Sequence, residues 1–132
     1  MVVIDSSALL DSLLDDASYQ NLMSIAALHE LVAPDHIDIE CLSAMRKMER
    51  LGYISEKQAS QIIGELANIR CHRLSIHSLL SEIWTFRNNF TAYDAAYVAI
   101  AVDTGSALIT HDQRLARAAS PLIKTLQLYP AP

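Results

Sequence analysis

A chain of 132 residues, 52% hydrophobic and 19% charged, reads as one folded domain over residues 1–132 with enough apolar material for a core, and this composition excludes disorder. Its net charge of −5 excludes a protein that coats nucleic acid by bulk electrostatics, but not an enzyme that meets nucleic acid through a cation and a few arginines. Two cysteines, Cys41 and Cys71, make no disulfide framework and read as buried small apolar residues in a reducing compartment.

In chain order, Val2 to Ile4 reads as a buried strand, and Ser6 and Ser7 offer capping hydroxyls for a short helix bearing Ala8, Leu9, Leu13 and Leu14. A second helix is expected from about Tyr19 to Leu28, then an apolar run, Leu31 to Ala33. Pro34-Asp35 should start a helix through Arg50, stopped by Gly52. Ser55-Glu56 opens another, with Ala59, Ile62, Ile63, Leu66 and Ile69 at helical spacing. Cys71 to Leu74 reads as a strand, Ser75 to Arg87 as a helix, and Arg87-Asn88-Asn89 as a loop. Thr91 to Asp103 reads as a helix ended by Gly105, Ala107 to Thr110 as a strand, Asp112 to Ala119 as a helix, and Lys124 to Leu128 as a last strand. Strands alternating with helices predict a three-layer α/β/α sandwich around a mainly parallel sheet. The segment from Ala95 to Val102 is apolar all round, so its helix should be enclosed.

That stretch is also the longest apolar one, far short of the ~20 residues that span a bilayer. No basic n-region precedes Val2, so no secretory leader is expected and the expected location is the cytoplasm. The three glycines are too dispersed for a phosphate-cradling loop, and no P-loop, GxGxxG or GxSxG is present.

Four carboxylates carry the functional reading. Asp5 ends the first strand, Asp112 follows the strand at Ala107 to Thr110, and Asp94 lies in the first turn of the enclosed helix. In an open parallel sheet the ligand crevice lies beyond the carboxyl ends of the strands, where strand order reverses. Acids gathered there repel, and a divalent cation is the usual way to keep several of them charged. Each acid also has a purely structural reading. Asp5 can begin the turn into a helix, Asp94 completes a T-x-x-D cap with Thr91, and Asp112 can be an N-cap. Glu40 differs because it lies inside a helix, at the edge of the stripe Ile37, Cys41, Ala44, Met48 and Leu51. Neither Ser43 nor Ala44, three and four residues on, gives it a cation. One shared site accounts for all four. The histidines at 29, 36, 72 and 77 have no zinc-ligand spacing and read as ordinary polar contacts, whereas His111 adjoins Asp112 and either lines the site or points away. Trp84 and the five tyrosines show no stacking-platform pattern and read as core.

These segments resemble the PIN-domain ribonucleases over essentially the whole chain, and the length resembles the VapC toxins of bacterial and archaeal toxin–antitoxin pairs. VVIDSSALL resembles the family's first strand with its aspartate and serine, and IECLSAMRK the segment bearing its glutamate. TAYDAAYVAIAVDTGSALITHDQRLARAA resembles the stretch with the paired C-terminal aspartates. The resemblance puts the catalytic, metal-holding roles on Asp5, Glu40, Asp94 and Asp112, with Thr110 as the threonine before the last of them. It implies a Mg²⁺- or Mn²⁺-dependent endoribonuclease with RNA as substrate, a homodimer, and an antitoxin partner covering the site. Ser6 and Thr110 hydroxyls are expected to orient a carboxylate or water. Arg46, Lys47, Arg87 and Arg114 are candidates for guiding RNA.

Other readings are a PIN nuclease of RNA processing outside toxin pairs, and a catalytically silent interaction domain. A receiver-like phosphoacceptor module also gathers acids at strand ends. It needs a lysine after its last strand, whereas here that strand itself carries Lys124.

Overall fold

The computed structural model describes residues 1–129; the last three positions of the expected 1–132 span lie outside the described residues. Its strands are β1 (Val2–Ile4), β2 (Leu31–Pro34), β3 (His72–Leu74), β4 (Leu108–Ile109) and β5 (Thr125–Leu126). They form one parallel sheet in the order β3-β2-β1-β4-β5. The α-helices among the described residues are α1 (Ser6–Leu14), α2 (Asp16–Ala26), α3 (Ile37–Arg50), α4 (Glu56–Asn68), α5 (Leu80–Thr85), α6 (Ala92–Thr104) and α7 (Gln113–Ala119). This is the expected sandwich. Every residue of β1, β2 and β4 is buried, as parallel strands covered on both faces must be.

The chain steps outward from β1 to β2 and β3, then returns to the far side of β1 for β4 and β5. The reversal therefore falls between β1 and β4, where Val3 pairs with Leu108 and Ile4 with Ile109. On one side α1 packs against α2, α3 and α4; α6 lies on β1, β2 and β4 beside α5. All seven residues from Ala95 to Ala101 are buried, as the apolar run requires, and Gly105 (φ +64°) takes the left-handed conformation that ends α6.

Local chemistry moves several expected boundaries. Asp15, not Tyr19, starts α2, because its carboxylate accepts from Ser18 N at 2.8 Å and caps the helix. The turn expected at Pro34-Asp35 begins later. Pro34 pairs with Leu74 as the last residue of β2, and Asp35 N–H donates to Leu74 O, so α3 begins at Ile37. The helix expected over Ser75 to Arg87 splits into a 3₁₀ turn (His77–Leu79) and the short α5. On α3 the buried residues are Ile37, Cys41 and Met45, while Ala44 and Leu51 of the expected stripe are exposed. Of the aromatics expected in the core, Tyr97 alone among the tyrosines is fully buried; Trp84, Tyr53 and Tyr93 are 67%, 75% and 64% exposed. Both cysteines are free thiols, and burial pushes Cys41 up to about 12 and Cys71 up to about 11. Among the described residues no helix is long and apolar enough to cross a membrane.

Candidate active site

The carboxyl end of β1 delivers Asp5 directly into the cap of α1. The side chain is 4% exposed, and its Oδ1 accepts from Ala8 N (3.0 Å) and Ser7 Oγ (2.7 Å). Its Oδ2 accepts from Thr110 Oγ1 at 2.5 Å. Burial pushes the Asp5 carboxyl above its ordinary value, against the lowering by the Thr110, Ala8 and Ser7 donors, and the Asp112 charge adds to the rise. A carboxylate this enclosed needs such donors to stay ionised.

Thr110 and Asp112 come from the end of β4, the neighbour of β1. Thr110 is fully buried; while donating to Asp5, its hydroxyl accepts from Asp112 N at 3.0 Å. Asp112 caps α7, its Oδ1 accepting from Arg114 N (2.9 Å) and Leu115 N (3.2 Å). The second hydroxyl on Asp5 belongs to Ser7 rather than Ser6: among the described residues Ser6 makes no side-chain hydrogen bond to a carboxylate, whereas Ser7 Oγ also accepts from His111 N at 3.0 Å. The first turn of a helix points consecutive side chains about 100° apart, so a capping aspartate meets only one of two adjacent serines.

Asp94 stands in the first turn of α6, behind the N-cap Thr91, whose Oγ1 accepts from Asp94 N at 3.2 Å. It is half-buried, and desolvation pushes its carboxyl up, with the charges of Asp112 and then Glu40 adding to the rise and Arg114 opposing it. Among the candidate cations for RNA, the Arg114 charge opposes the rise at Asp94. Arg87 instead lies over the Trp84 ring, 4.9 Å from its centre.

Glu40, in the first turn of α3, has partners that its downstream neighbours could not supply. Tyr97, one turn after Asp94 on α6, donates its hydroxyl to Glu40 Oε1 at 2.6 Å. His36, four residues before Glu40, brings Nε2 to 3.2 Å from the same oxygen without hydrogen-bond alignment, so the contact is electrostatic. The Glu40 carboxylate beside it pushes His36 up, against the effect of burial. Burial first, then the bond to Glu40, pushes the Tyr97 phenol up. The His36 ring meets Tyr97 and Tyr93 edge-on at 5.4 and 5.9 Å. Tyr97 and Ser7 escaped the sequence reading. The helical spacing of Tyr97 from Asp94 is the signal that could have found the first, since residues three apart share a helix face.

At the point of strand reversal the Asp112 charge therefore reaches Asp5 and Asp94, and the Glu40 charge reaches Asp94. Among the described residues no three His, Cys, Asp or Glu side chains are spaced as a ready set of ligands to one ion. The donors are all hard oxygens, which suit Mg²⁺ or Mn²⁺. Mg²⁺ keeps several waters and is commonly held by one or two carboxylates directly, so it does not require three ligands converging on one point.

A family model described as PIN domain matches residues 2–121. Ribonuclease VapC9 of Mycobacterium tuberculosis is 37% identical over 118 residues, covering 87% of this chain and 88% of that protein. Ribonuclease VapC3 of the same species is 35% identical over 121 residues, covering 89% and 86%. Among solved structures, VapBC2 from Rickettsia felis, bound to a DNA fragment from its promoter, is similar with a TM-score of 0.72 at 12% identity, covering 96% of this chain and 98% of that one. A protein of Pyrobaculum aerophilum is similar with a TM-score of 0.68 at 19% identity, covering 96% and 90%. At those identities the two structures speak for the fold.

Proposed function

Because the chain belongs to the PIN-domain family, we propose that it is a metal-dependent endoribonuclease, one domain over residues 1–132, acting as the toxin of a cytoplasmic toxin–antitoxin pair. One observation carries the reading: at the strand reversal the buried Thr110 hydroxyl donates to Asp5 and accepts from Asp112 N, while Asp94, raised first by burial, also feels the charges of Asp112 and Glu40. The relatives named VapC ribonucleases support the substrate class, and the fold shared with VapBC2 of Rickettsia felis is compatible with an antitoxin partner.

Asp5, Glu40, Asp94 and Asp112 would hold Mg²⁺ or Mn²⁺, directly or through water, and the cation bound there supplies acidification of a water and neutralisation of phosphate charge. The protein's part is orientation. Thr110 and Ser7 hold both oxygens of Asp5, so that carboxylate cannot rotate away from the crevice. Tyr97 fixes Glu40 through its hydroxyl, and α6 carries both Tyr97 and Asp94 on one rigid, largely buried element. Arg114, exposed at the start of α7, meets the phosphate backbone beside Asp94. Ile39 (65% exposed) and Leu42 (39%) on α3 are the apolar surface proposed for a homodimer.

The test is cleavage of a panel of structured and single-stranded RNAs by purified protein in Mn²⁺, Mg²⁺ or EDTA. Cleavage that needs the cation, is lost in Asp94→Asn, and is suppressed by the protein encoded beside it supports the reading. Cleavage undiminished in Asp94→Asn overturns it.

A further inference from the structure

His111 stands between Thr110 and Asp112, yet its own side chain is buried away from the four site acids, against Asp11 and the residues Leu128 and Tyr129. Leu128 N–H donates to Nε2 at 3.0 Å, so this nitrogen is the bare acceptor and the ring proton sits on Nδ1. Nδ1 in turn donates to Asp11 Oδ2 at 2.7 Å, and the side chain is 4% exposed. The Tyr129 ring stacks on the imidazole, 4.0 Å between centres and 26° between planes, while its hydroxyl donates to the same Asp11 oxygen at 2.6 Å. Leu128 is itself anchored, 1% exposed and with its carbonyl accepting from Asn21 Nδ2 of α2. The imidazole thus ties α1, the segment after β4 and the pair Leu128-Tyr129 together, with both ring nitrogens satisfied.

The main chain of His111 faces the other way. Its N–H donates to Ser7 Oγ (3.0 Å), Ser7 donates to Asp5 Oδ1 (2.7 Å), and the flanking Thr110 donates to Asp5 Oδ2 and accepts from Asp112 N. Leu128, and Tyr129 through Asp11, therefore hold the His111 ring, while its main chain bonds Ser7 on Asp5 and its neighbour Thr110 bonds Asp5 and Asp112 N just beyond the ends of β1 and β4. We propose that His111 is a positioning residue: clasped by Leu128 and Tyr129, it sets the strand end that places Asp5 and Asp112 as cation ligands. This rests on the metal-site reading given above, but not on RNA being the substrate.

Substitution separates positioning from bulk stability. His111→Phe keeps the stack on Tyr129 but loses both ring hydrogen bonds, and His111→Gln retains one donor and one acceptor. Tyr129→Phe removes only the hydroxyl bond to Asp11. Mn²⁺ binding without RNA is measured by calorimetric titration, at a temperature well below each variant's melting midpoint. The expected result is affinity lowered on the order of tenfold in His111→Phe, as for other residues that orient metal ligands, with most of it restored in His111→Gln and a smaller loss in Tyr129→Phe. A folded His111→Phe that binds Mn²⁺ like wild type overturns the proposal, whether or not wild type cleaves RNA. Weakened binding in His111→Phe with no RNA cleavage by wild type supports positioning while the nuclease reading falls. A wild type that binds no Mn²⁺ overturns both.

Discussion

The hydroxyl of Thr110 donates to the carboxylate of Asp5 at 2.5 Å, joining residues 105 positions apart across the two strands where the sheet reverses direction. The same oxygen accepts from Asp112 N, so one buried hydroxyl serves two of the four acids. Thr110→Val keeps the shape and leaves one acceptor and one N–H short of a partner. The expected cost is about 1–3 kcal/mol in urea denaturation, with RNA cleavage reduced by at least tenfold. A valine variant as stable and active as wild type would show that Asp5 is held by Ser7 and Ala8 alone.

Asp94→Asn retains a polar group in the first turn of α6 while removing the charge that Asp112 and Glu40 oppose. Cleavage should fall on the order of a hundredfold, because both cation binding and its placement lose a ligand. Single-turnover rates at saturating Mn²⁺ check this, and a loss recovered by raising the cation alone would confine Asp94 to binding.

Stability should depend on pH in a definite direction. The folded Asp5 and Asp94 carboxyls titrate above the ordinary 3.8, so the folded chain holds protons that the unfolded chain has released. Their contribution is fully present below about pH 4 and is lost as pH rises through the raised folded values. His36, also raised, adds a contribution present below its ordinary 6.5 and lost above its folded value. In EDTA the melting midpoint should therefore fall on raising pH from this window towards neutrality, and millimolar Mg²⁺ should restore it. Asp94→Asn should flatten the carboxylate part of the slope and gain ~1 kcal/mol without metal, less any loss of about 0.3–1 kcal/mol at the helix N-terminus. Midpoints that do not respond to Mg²⁺ would sink the four-acid site.

Leu42→Glu places a charge on the apolar patch of α3, where Ile39 and Leu42 stay exposed while Ile37, Cys41 and Met45 turn inward. Sedimentation should give a dimer for wild type and a monomer for Leu42→Glu, with little change in the melting midpoint. Wild type that sediments as a monomer at tens of micromolar refutes the two-fold contact.

If Arg114 meets the phosphate backbone as proposed, Arg114→Gln should raise KM for RNA on the order of tenfold with kcat nearly unchanged, since among the described residues this exposed side chain makes no hydrogen bond to the four acids. The salt dependence of binding should become shallower by about one phosphate contact. An unchanged KM would move the RNA path away from α7.

The fold was legible wherever the signal lay within a few residues. The all-apolar run from Ala95 to Ala101 predicts an enclosed helix because no face of it can meet water, and Gly105 marks its end because the left-handed turn favours glycine. The alternation of short apolar runs with amphipathic helices likewise predicts a parallel sheet. Boundaries decided by distant atoms were not legible. Pro34 belongs to β2 because Leu74 pairs with it, and that pairing is invisible from Pro34-Asp35 alone.

The candidate site divides along the same line. Asp5, Asp94 and Asp112 stand out in the sequence by their places at strand ends and in a first helical turn, although Asp5 and Asp112 also serve there as ordinary helix caps. Their partners do not stand out. Ser7 rather than Ser6 bonds Asp5 because helical phase turns only one of the two hydroxyls inward. Glu40 meets Tyr97, 57 residues away, and His36 one turn behind it, although its downstream neighbours offered nothing. Whether His111 lines the site or turns away was settled by Leu128 and Tyr129, which reach it only once β5 has joined β4. Residue type and spacing alone determined which groups could be brought together. The order β3-β2-β1-β4-β5 decided which ones meet, because strand order follows from burying all the apolar faces at once, a property of the whole chain that no short window contains.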